Sequence, residues 1–151
     1  MSGLTNGYLT DIGKLIIGKS FLGSFPCDMQ PKVKRRNFSV IFNLSKHTEK
    51  GTHFIAIFGD NKRLLYFDPL GSKCNNIDIL TFIKKHRRFR KVLTKFKQIQ
   101  SDASIFCGFY CLGFLLAMTQ GLTIPSFFKK FNMTHLGEND THIIKFIQEN
   151  V

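Results

Sequence analysis

The sequence has few acidic residues: 10 Asp and Glu stand against 22 Lys and Arg, which gives a formal net charge of +12. A merely solvated surface usually mixes its signs more evenly, so this excess points to a polyanionic partner, nucleic acid before an anionic membrane surface. The 151 residues predict one domain over 1–151, and the 43% apolar content with 17 Phe excludes wholesale disorder.

Cysteines are also few, and their spacing predicts no metal site. The four cysteines form neither a C-x-x-C pair nor a zinc-finger spacing, and free thiols in a reducing compartment fit better than a disulfide scaffold. No apolar run reaches the length of a membrane span, and the first 18 residues lack the pattern of a signal peptide. These absences predict a soluble protein inside a cell or packaged in a particle, with no membrane partner.

Hydrophobic periodicity predicts a mixture of helices and strands without a βαβ rhythm, which indicates the α+β class. Helices are expected over 4–17, 77–88, 108–119 and 125–131, with a last one from Asn139 or Asp140. Strands are expected over 37–44, 52–58, 63–68 and 91–98, with a loop over 21–31 and a polar turn over 46–51.

The strands over 52–58 and 63–68 are separated by a short turn and should pair antiparallel. His53 then lies near the start of one strand and Asp68 at the end of the next, side by side at one rim of the sheet. This placement predicts a His–Asp pair. The alternatives are a strand-end histidine and an aspartate that only caps the turn at Pro69.

An apolar run from Phe109 to Met118 has the length and composition of a buried helix, and Cys107-Gly108 precedes it. A thiol at a helix N-terminus meets unpaired backbone N–H groups and the helix dipole, which favour a thiolate. Gly108 leaves room for a substrate carbonyl near the Cys107 N–H, one donor of an oxyanion hole. Most free cysteines are small buried hydrophobes, and that reading suits Cys111.

A second oxyanion donor is available seven residues before Cys107, in the side-chain amide of Gln100. Gln98 is the competing assignment, and an ordinary surface glutamine is the structural alternative. The chain order His53, Asp68, Gln100, Cys107 predicts a cysteine hydrolase.

Basic residues are concentrated in two segments that together hold 12 of the 22. Eight lie within fourteen residues with no acidic residue among them: Lys84, Lys85, Arg87, Arg88, Arg90, Lys91, Lys95 and Lys97. The other four are Lys32, Lys34, Arg35 and Arg36. Such clusters bind phosphates without reading base sequence, so we predict nucleic-acid binding by the 84–97 group. A solvated face or a localisation signal is the alternative.

Three blocks of the chain, in order, resemble the adenovirus-type cysteine proteinases, the adenain family. Gly51-Thr52-His53-Phe54 resembles the family's Gly-x-His-Trp at the catalytic histidine, and residues 65–71 (LYFDPLG) resemble its Leu-Phe-Glu-Pro-Phe-Gly. Residues 100–111 (QSDASIFCGFYC) resemble its glutamine and Cys-Gly-x-x-Cys block with the same Gln-to-Cys spacing. The match covers residues 20–120.

The resemblance implies a papain-like fold with a mixed, mainly antiparallel sheet flanked by helices. It implies Cys107 as nucleophile, His53 as general base, Asp68 as orienter, and Gln100 with the Cys107 N–H as oxyanion hole. It also implies cleavage of viral precursor proteins during virion maturation, often after small residues such as glycine. The implied locations are the virion and the host cell interior. No cofactor is needed for the chemistry, and family members are stimulated by DNA.

The chain also departs from the family, which leaves other functions open. Residues 84–99 contain no cysteine, so an activating viral peptide would bind without the family's disulfide link. Phe54 replaces the family's Trp, and a short, divergent member from a virus or virus-like element is indicated. One alternative is a ubiquitin-like-protein-type deconjugating protease, which shares the chain order. The other is a non-enzymatic, basic nucleic-acid-binding virion protein.

Overall fold

The computed structural model describes residues 5–46, 48 and 53–151. The elements in chain order are α1 (Asn6–Ile16), β1 (Phe21–Pro26), β2 (Phe38–Asn43), β3 (Phe54–Gly59), β4 (Arg63–Phe67), α2 (Ile77–His86), β5 (Lys91–Leu93), α3 (Cys107–Thr119), α4 (Ile124–Phe128), a 3-10 turn (Leu136–Glu138) and α5 (Asn139–Gln148). Most of the polar turn predicted over 46–51, together with residues 4 and 52, lies outside the described residues.

The five strands form one mixed sheet in the order β1-β2-β3-β4-β5. β3 and β4 pair antiparallel, as the sequence predicted, and β2 also pairs antiparallel with β3. By contrast, β1 pairs parallel with β2, and β5 pairs parallel with β4. The α+β fold class, with helices flanking a mixed sheet, is therefore confirmed. The parallel pairings are confined to the two outermost strands.

Those two outer strands are also where the secondary-structure prediction was wrong. Residues 21–26 form a strand, where the sequence had predicted a loop. Gly23 (φ 131°) lies within this strand, at an irregularity of register between Phe21 and Ser24. An edge strand tolerates such a bulge and a terminal proline, and both resemble loop signals in sequence. β5 ends at Leu93 instead of Gln98, since it pairs with β4 over only three residues.

Hydrophobic layers cover both faces of the sheet. α3 packs on one face together with α1, α4 and α5, and α2 covers the other face through Ile79, Phe82 and Ile83. Eleven of the thirteen residues of α3 are buried, which is typical of a helix that is apolar on all sides. The Phe114 ring of α3 stacks on Phe67 of β4 with centroids 4.3 Å apart, which fixes the helix against the strand.

Close packing of α5 on α3 brings the start of α5 to the same end of the sheet as Cys107. Gly113 permits this approach, because a Cβ atom there would lie 2.3 Å from Cδ1 of Ile143. Within the described residues, no helix combines the length and apolar composition that crossing a membrane requires.

Candidate active site

His53 and Asp68 lie in contact at one rim of the sheet. The antiparallel register pairs Ala56 with Phe67, which brings the start of β3 beside the end of β4. The His53 Nε2 atom is 2.7 Å from Oδ1 of Asp68, and the two side chains are 17% and 4% exposed. A largely buried, directly bonded His–Asp pair can hold an imidazole in one tautomer and orientation.

The Asp68 carboxylate also organises the turn that follows it. Its Oδ1 accepts a hydrogen bond from the backbone N–H of Leu70 at 2.9 Å, and Gly71 N–H donates to the Asp68 carbonyl at 2.8 Å. Asp68 therefore caps the turn at Pro69 and bonds His53 at the same time. The two sequence interpretations of Asp68 are compatible.

Cys107 is the first residue of α3, and its side chain is 3% exposed. The N-cap residue is Phe106, whose side chain makes no hydrogen bond to the backbone N–H groups at this helix end. An uncapped helix N-terminus carries a partial positive charge and interacts favourably with anionic groups. All four cysteines are free thiols, as expected.

The His53 pKa links the histidine to both of its polar neighbours. Burial of the ring lowers the pKa, but hydrogen bonds and charge interactions with Asp68 and Cys107 outweigh burial and raise it to about 9. Because Nε2 bonds Asp68, Nδ1 is the nitrogen left for the thiol. This arrangement favours an imidazolium at neutral pH, the form that stabilises a neighbouring thiolate.

We expect the free energy of unfolding to fall as pH rises from about 6.5 to about 9. The His53 pKa is raised from 6.5 to about 9 by folding, so its contribution is complete below 6.5 and is lost as pH rises through 9. Urea unfolding at pH 6 and pH 9.5 measures this loss, and Asp68→Asn should reduce it while keeping an acceptor for Leu70. The control Asp11→Asn, an exposed carboxyl on α1, should leave it unchanged. Equal pH dependence in wild type and Asp68→Asn would contradict the assignment.

Gln100 is held beside the His–Asp pair by its backbone. The backbone N–H groups of Ile99 and Gln100 both donate to the Pro69 carbonyl, at 3.0 and 3.1 Å. Gly71 (φ 72°) allows this contact, because a Cβ atom there would lie 2.9 Å from the Gln98 backbone nitrogen. Gln100 is therefore fixed next to the residues that follow Asp68, although it lies 32 positions further along the chain.

The two glutamines weighed as oxyanion donors have different environments. Gln100 is 2% exposed, and its Nε2 donates to the Ser104 carbonyl at 3.1 Å. Gln98 is half-buried, and its Nε2 donates to the Gln100 carbonyl and to Oδ1 of Asp102. The Gln98 amide thus closes the local loop, whereas the Gln100 amide lies in the interior.

A partly buried polar network, which the sequence interpretation missed, supports the loop between Gln100 and Cys107. The Ser104 hydroxyl donates to Oδ1 of Asp140 at 2.8 Å and accepts from the Phe106 N–H at 3.1 Å. The Tyr110 hydroxyl donates to the same Asp140 oxygen at 2.7 Å. Burial and the Asp140 carboxylate raise the pKa of Tyr110, so it remains a donor. No local spacing could reveal a contact between residues 36 positions apart.

The basic residues of the 84–97 segment are spread over the end of α2, the turn after it, β5 and the segment beyond β5. Lys84 and Lys85 end α2, and Lys91 lies in β5, whereas Lys95 and Lys97 are exposed beyond β5. Arg90 is half-buried and donates to the backbone carbonyls of Asp60, His86 and Arg36. Arg90 therefore holds three chain segments together. Arg87 and Arg88 are exposed in the turn between α2 and β5.

This combination of layers and topology also occurs in a protease of known crystal structure. The chain is similar to the crystal structure of ASFV pS273R protease with a TM-score of 0.69 and 16% identity, over 97% of this chain and 66% of that one. A selenomethionine crystal structure of the same protease gives a TM-score of 0.59 and 17% identity, over 99% and 54%. The chain thus spans less than two thirds of these proteins, and at such identities the likeness shows the fold alone. No family model and no curated protein matches the sequence.

Proposed function

We propose that the protein is a cysteine endopeptidase of the adenain type, which cleaves viral precursor proteins during virion maturation. The observation that carries this proposal is the His53–Asp68 pair at 2.7 Å, next to Cys107 at an uncapped helix N-terminus. The protease fold supports it. The proposed sites of action are the virion and the host cell interior.

In the proposed reaction, the Cys107 thiolate attacks the carbonyl carbon of the scissile peptide bond, and the carbonyl oxygen becomes an oxyanion. The imidazolium of His53 donates its proton to the leaving amine as the C–N bond breaks, which leaves a thioester on Cys107. Neutral His53 then accepts a proton from water, whose oxygen attacks the thioester carbonyl carbon. The C–S bond breaks, the acid is released, and the Cys107 thiolate and the His53 imidazolium are regenerated. Asp68 orients the imidazole throughout.

The oxyanion is bound by the Cys107 N–H and by the Gln100 amide in this proposal. Within the described residues, Gln100 Oε1 accepts no hydrogen bond, so the Nε2 bond to Ser104 sets the orientation of the amide. Ser104 also bonds Phe106, which directly precedes Cys107. Ser104 therefore positions both donors, and Asp140 anchors Ser104.

We expect Ser104→Ala to lower kcat by about 10-fold or more, with a much smaller effect on KM, because oxyanion donors act mainly in the transition state. The rate of Cys107 alkylation by iodoacetamide should remain close to wild type, since alkylation forms no oxyanion. Ser104→Thr retains the hydroxyl and should restore kcat. Tyr110→Phe, which leaves the Ser104–Asp140 bond in place, is the matched control. A Ser104→Ala enzyme with wild-type kcat would overturn the positioning role.

The substrate distinguishes the proposal from its enzymatic alternative. Purified protein is incubated with peptides that contain internal Gly-X bonds and, separately, with ubiquitin-like proteins extended at their C-termini. Mass spectrometry should find cleavage of the first set after small residues. Cleavage of the second set alone would identify a deconjugating protease, and cleavage of neither, with and without DNA, would favour a non-enzymatic role.

Nucleic-acid association is a second part of the proposal, and the concentrated positive charge supports it. Regulation by DNA, or by a viral peptide bound without a disulfide, would follow the behaviour that the family resemblance implies. Such binding is sequence-independent and weakens with salt.

A further inference from the structure

The two basic segments of the sequence meet at the rim of the sheet opposite His53 and Asp68. They line a cleft of about 230 Å³ through Lys34, Arg35, Arg36, Lys85, Arg88 and Arg90. No acidic residue is among the described residues that line it. β3 spans six residues between the two rims, so the cleft lies about 20 Å from the candidate active site.

Hydrogen bonds hold the walls of the cleft in place. Arg90 Nε donates to the Asp60 carbonyl at 2.9 Å, Nη1 to the His86 carbonyl at 2.7 Å, and Nη2 to the Arg36 carbonyl. Arg36 in turn donates to the Asn61 carbonyl at 3.1 Å. The backbone that carries the basic side chains of the cleft is therefore held in place by hydrogen bonds. The like charges of these side chains lie close together in the folded protein.

The local electrostatics agree with a cationic cleft. Burial lowers the pKa of His86, and the positive charges of Lys85 and Arg90 lower it further. His86 is consequently a neutral wall residue at pH 7, and the positive potential belongs to the lysines and arginines. An anion placed in this cleft would relieve repulsion between them.

Phe89 lies at the edge of the cleft and has an unfavourable backbone conformation. Its side chain is 81% exposed, and within the described residues it is the one non-glycine residue with positive φ, at 61°. A left-handed conformation is unfavourable for a residue with a Cβ atom, and Phe89 has little burial to offset this cost. Glycine or asparagine would suit this turn better, so the aromatic ring requires another explanation.

The Phe89 ring is connected to the cleft through Arg88. The guanidinium carbon of Arg88, which lines the cleft, lies 4.8 Å from the centroid of the Phe89 ring. An exposed aromatic face beside several phosphate-binding side chains is the arrangement that proteins use to bind single-stranded nucleic acid. Bases stack on the ring while the cations contact the backbone phosphates.

We propose that Phe89 and the cleft form a binding site for single-stranded nucleic acid, with an unpaired base stacked on the Phe89 ring and phosphates in the cleft. The inference rests on the nucleic-acid association proposed above and adds the site, the strandedness and the stacking residue. A single strand is preferred because pairing and stacking within a duplex cover the faces of its bases.

The test measures fluorescence anisotropy of a labelled 20-nucleotide oligothymidine and of a 20-base-pair duplex, over a range of salt concentrations. Wild-type protein should bind the single strand more tightly. Phe89→Ala should weaken single-strand binding by about 5- to 150-fold at every salt concentration, because stacking is largely independent of salt. The double variant Arg35→Ala/Arg88→Ala should weaken binding to both and flatten the salt dependence.

Three controls separate a binding role from a structural one. Phe89→Tyr should bind as wild type does, and Leu15→Ala, which truncates a 68% exposed side chain on α1, should have no effect. Phe89→Gly should lose binding yet unfold at the same or a higher temperature, because glycine relieves the positive φ. A lower melting temperature would indicate a structural role for the ring.

The outcomes separate this inference from the proposals on which it rests. Tight, salt-dependent binding that Phe89→Ala leaves unchanged would overturn the stacking site but keep nucleic-acid association. Duplex binding as tight as single-strand binding would overturn the preference. Absence of binding to either probe would overturn both. Peptide cleavage is measured separately, and its failure would leave this result intact.

Discussion

Replacing Cys107 with alanine should reduce peptide turnover by on the order of 10⁴-fold or more, because no other described side chain lies both at the start of α3 and beside His53. The substitution removes only the buried Sγ atom, so the fold should persist. We expect the melting temperature to fall by only a few degrees and nucleic-acid affinity to stay unchanged. Steady-state kinetics on a cleaved peptide, together with thermal unfolding, measure both quantities.

Cys111→Ala is the matched control for this experiment. Cys111 lies one turn further along α3 and is fully buried, and burial raises the pKa of its thiol well above the usual range. The control should retain turnover within a few-fold and lower the free energy of unfolding by about 1–2 kcal/mol. If the Cys107→Ala enzyme retained turnover, Cys107 would not be the nucleophile. If Cys111→Ala abolished turnover, the nucleophile would be reassigned to Cys111.

His53→Ala should have the second largest effect, a loss of turnover of about 10³-fold or more. The substitution removes the proton carrier and leaves Asp68 without its partner at 2.7 Å. Added imidazole should restore part of the rate, since the deleted ring leaves space beside Cys107. The control His142→Gln changes an exposed histidine of α5 and should have little effect on turnover. A wild-type rate in His53→Ala would show that the pair is structural.

The positions of His53, Asp68 and Cys107 in the fold could be predicted from the sequence, because they depend on a short turn and on an apolar helix that are recognisable locally. The turn at Gly59–Lys62 fixes the pairing of β3 with β4, and this pairing alone brings His53 beside Asp68. The apolar run after Gly108 predicted α3, and with it the helix N-terminus at Cys107. Helix caps are local as well: the Asn76 and Thr123 side chains accept hydrogen bonds from backbone N–H groups at the starts of α2 and α4.

Features set by tertiary contacts were not accessible in this way. β1 was missed because Gly23 and Pro26 look like loop residues until the parallel partner β2 is known. The Ser104–Asp140 bond and the meeting of Arg35 with Arg88 join segments that lie far apart in the chain. The structural role of Arg90, which donates to the Asp60 carbonyl, likewise could not be inferred from the basic composition of the 84–97 group.

The measurement that tests the central claim most directly is competitive alkylation of the native protein by limiting iodoacetamide at neutral pH, with each modified cysteine located by mass spectrometry. If exposure alone determined the rate of labelling, Cys74 would react before Cys107, because Cys74 is 9% exposed and Cys107 is 3% exposed. An activated Cys107–His53 pair reverses that order, because only the thiolate reacts. We expect Cys107 to be labelled first, and His53→Ala to abolish its advantage. Labelling of Cys107 no faster than Cys74, in wild type and variant alike, would contradict the assignment of Cys107 as an activated nucleophile.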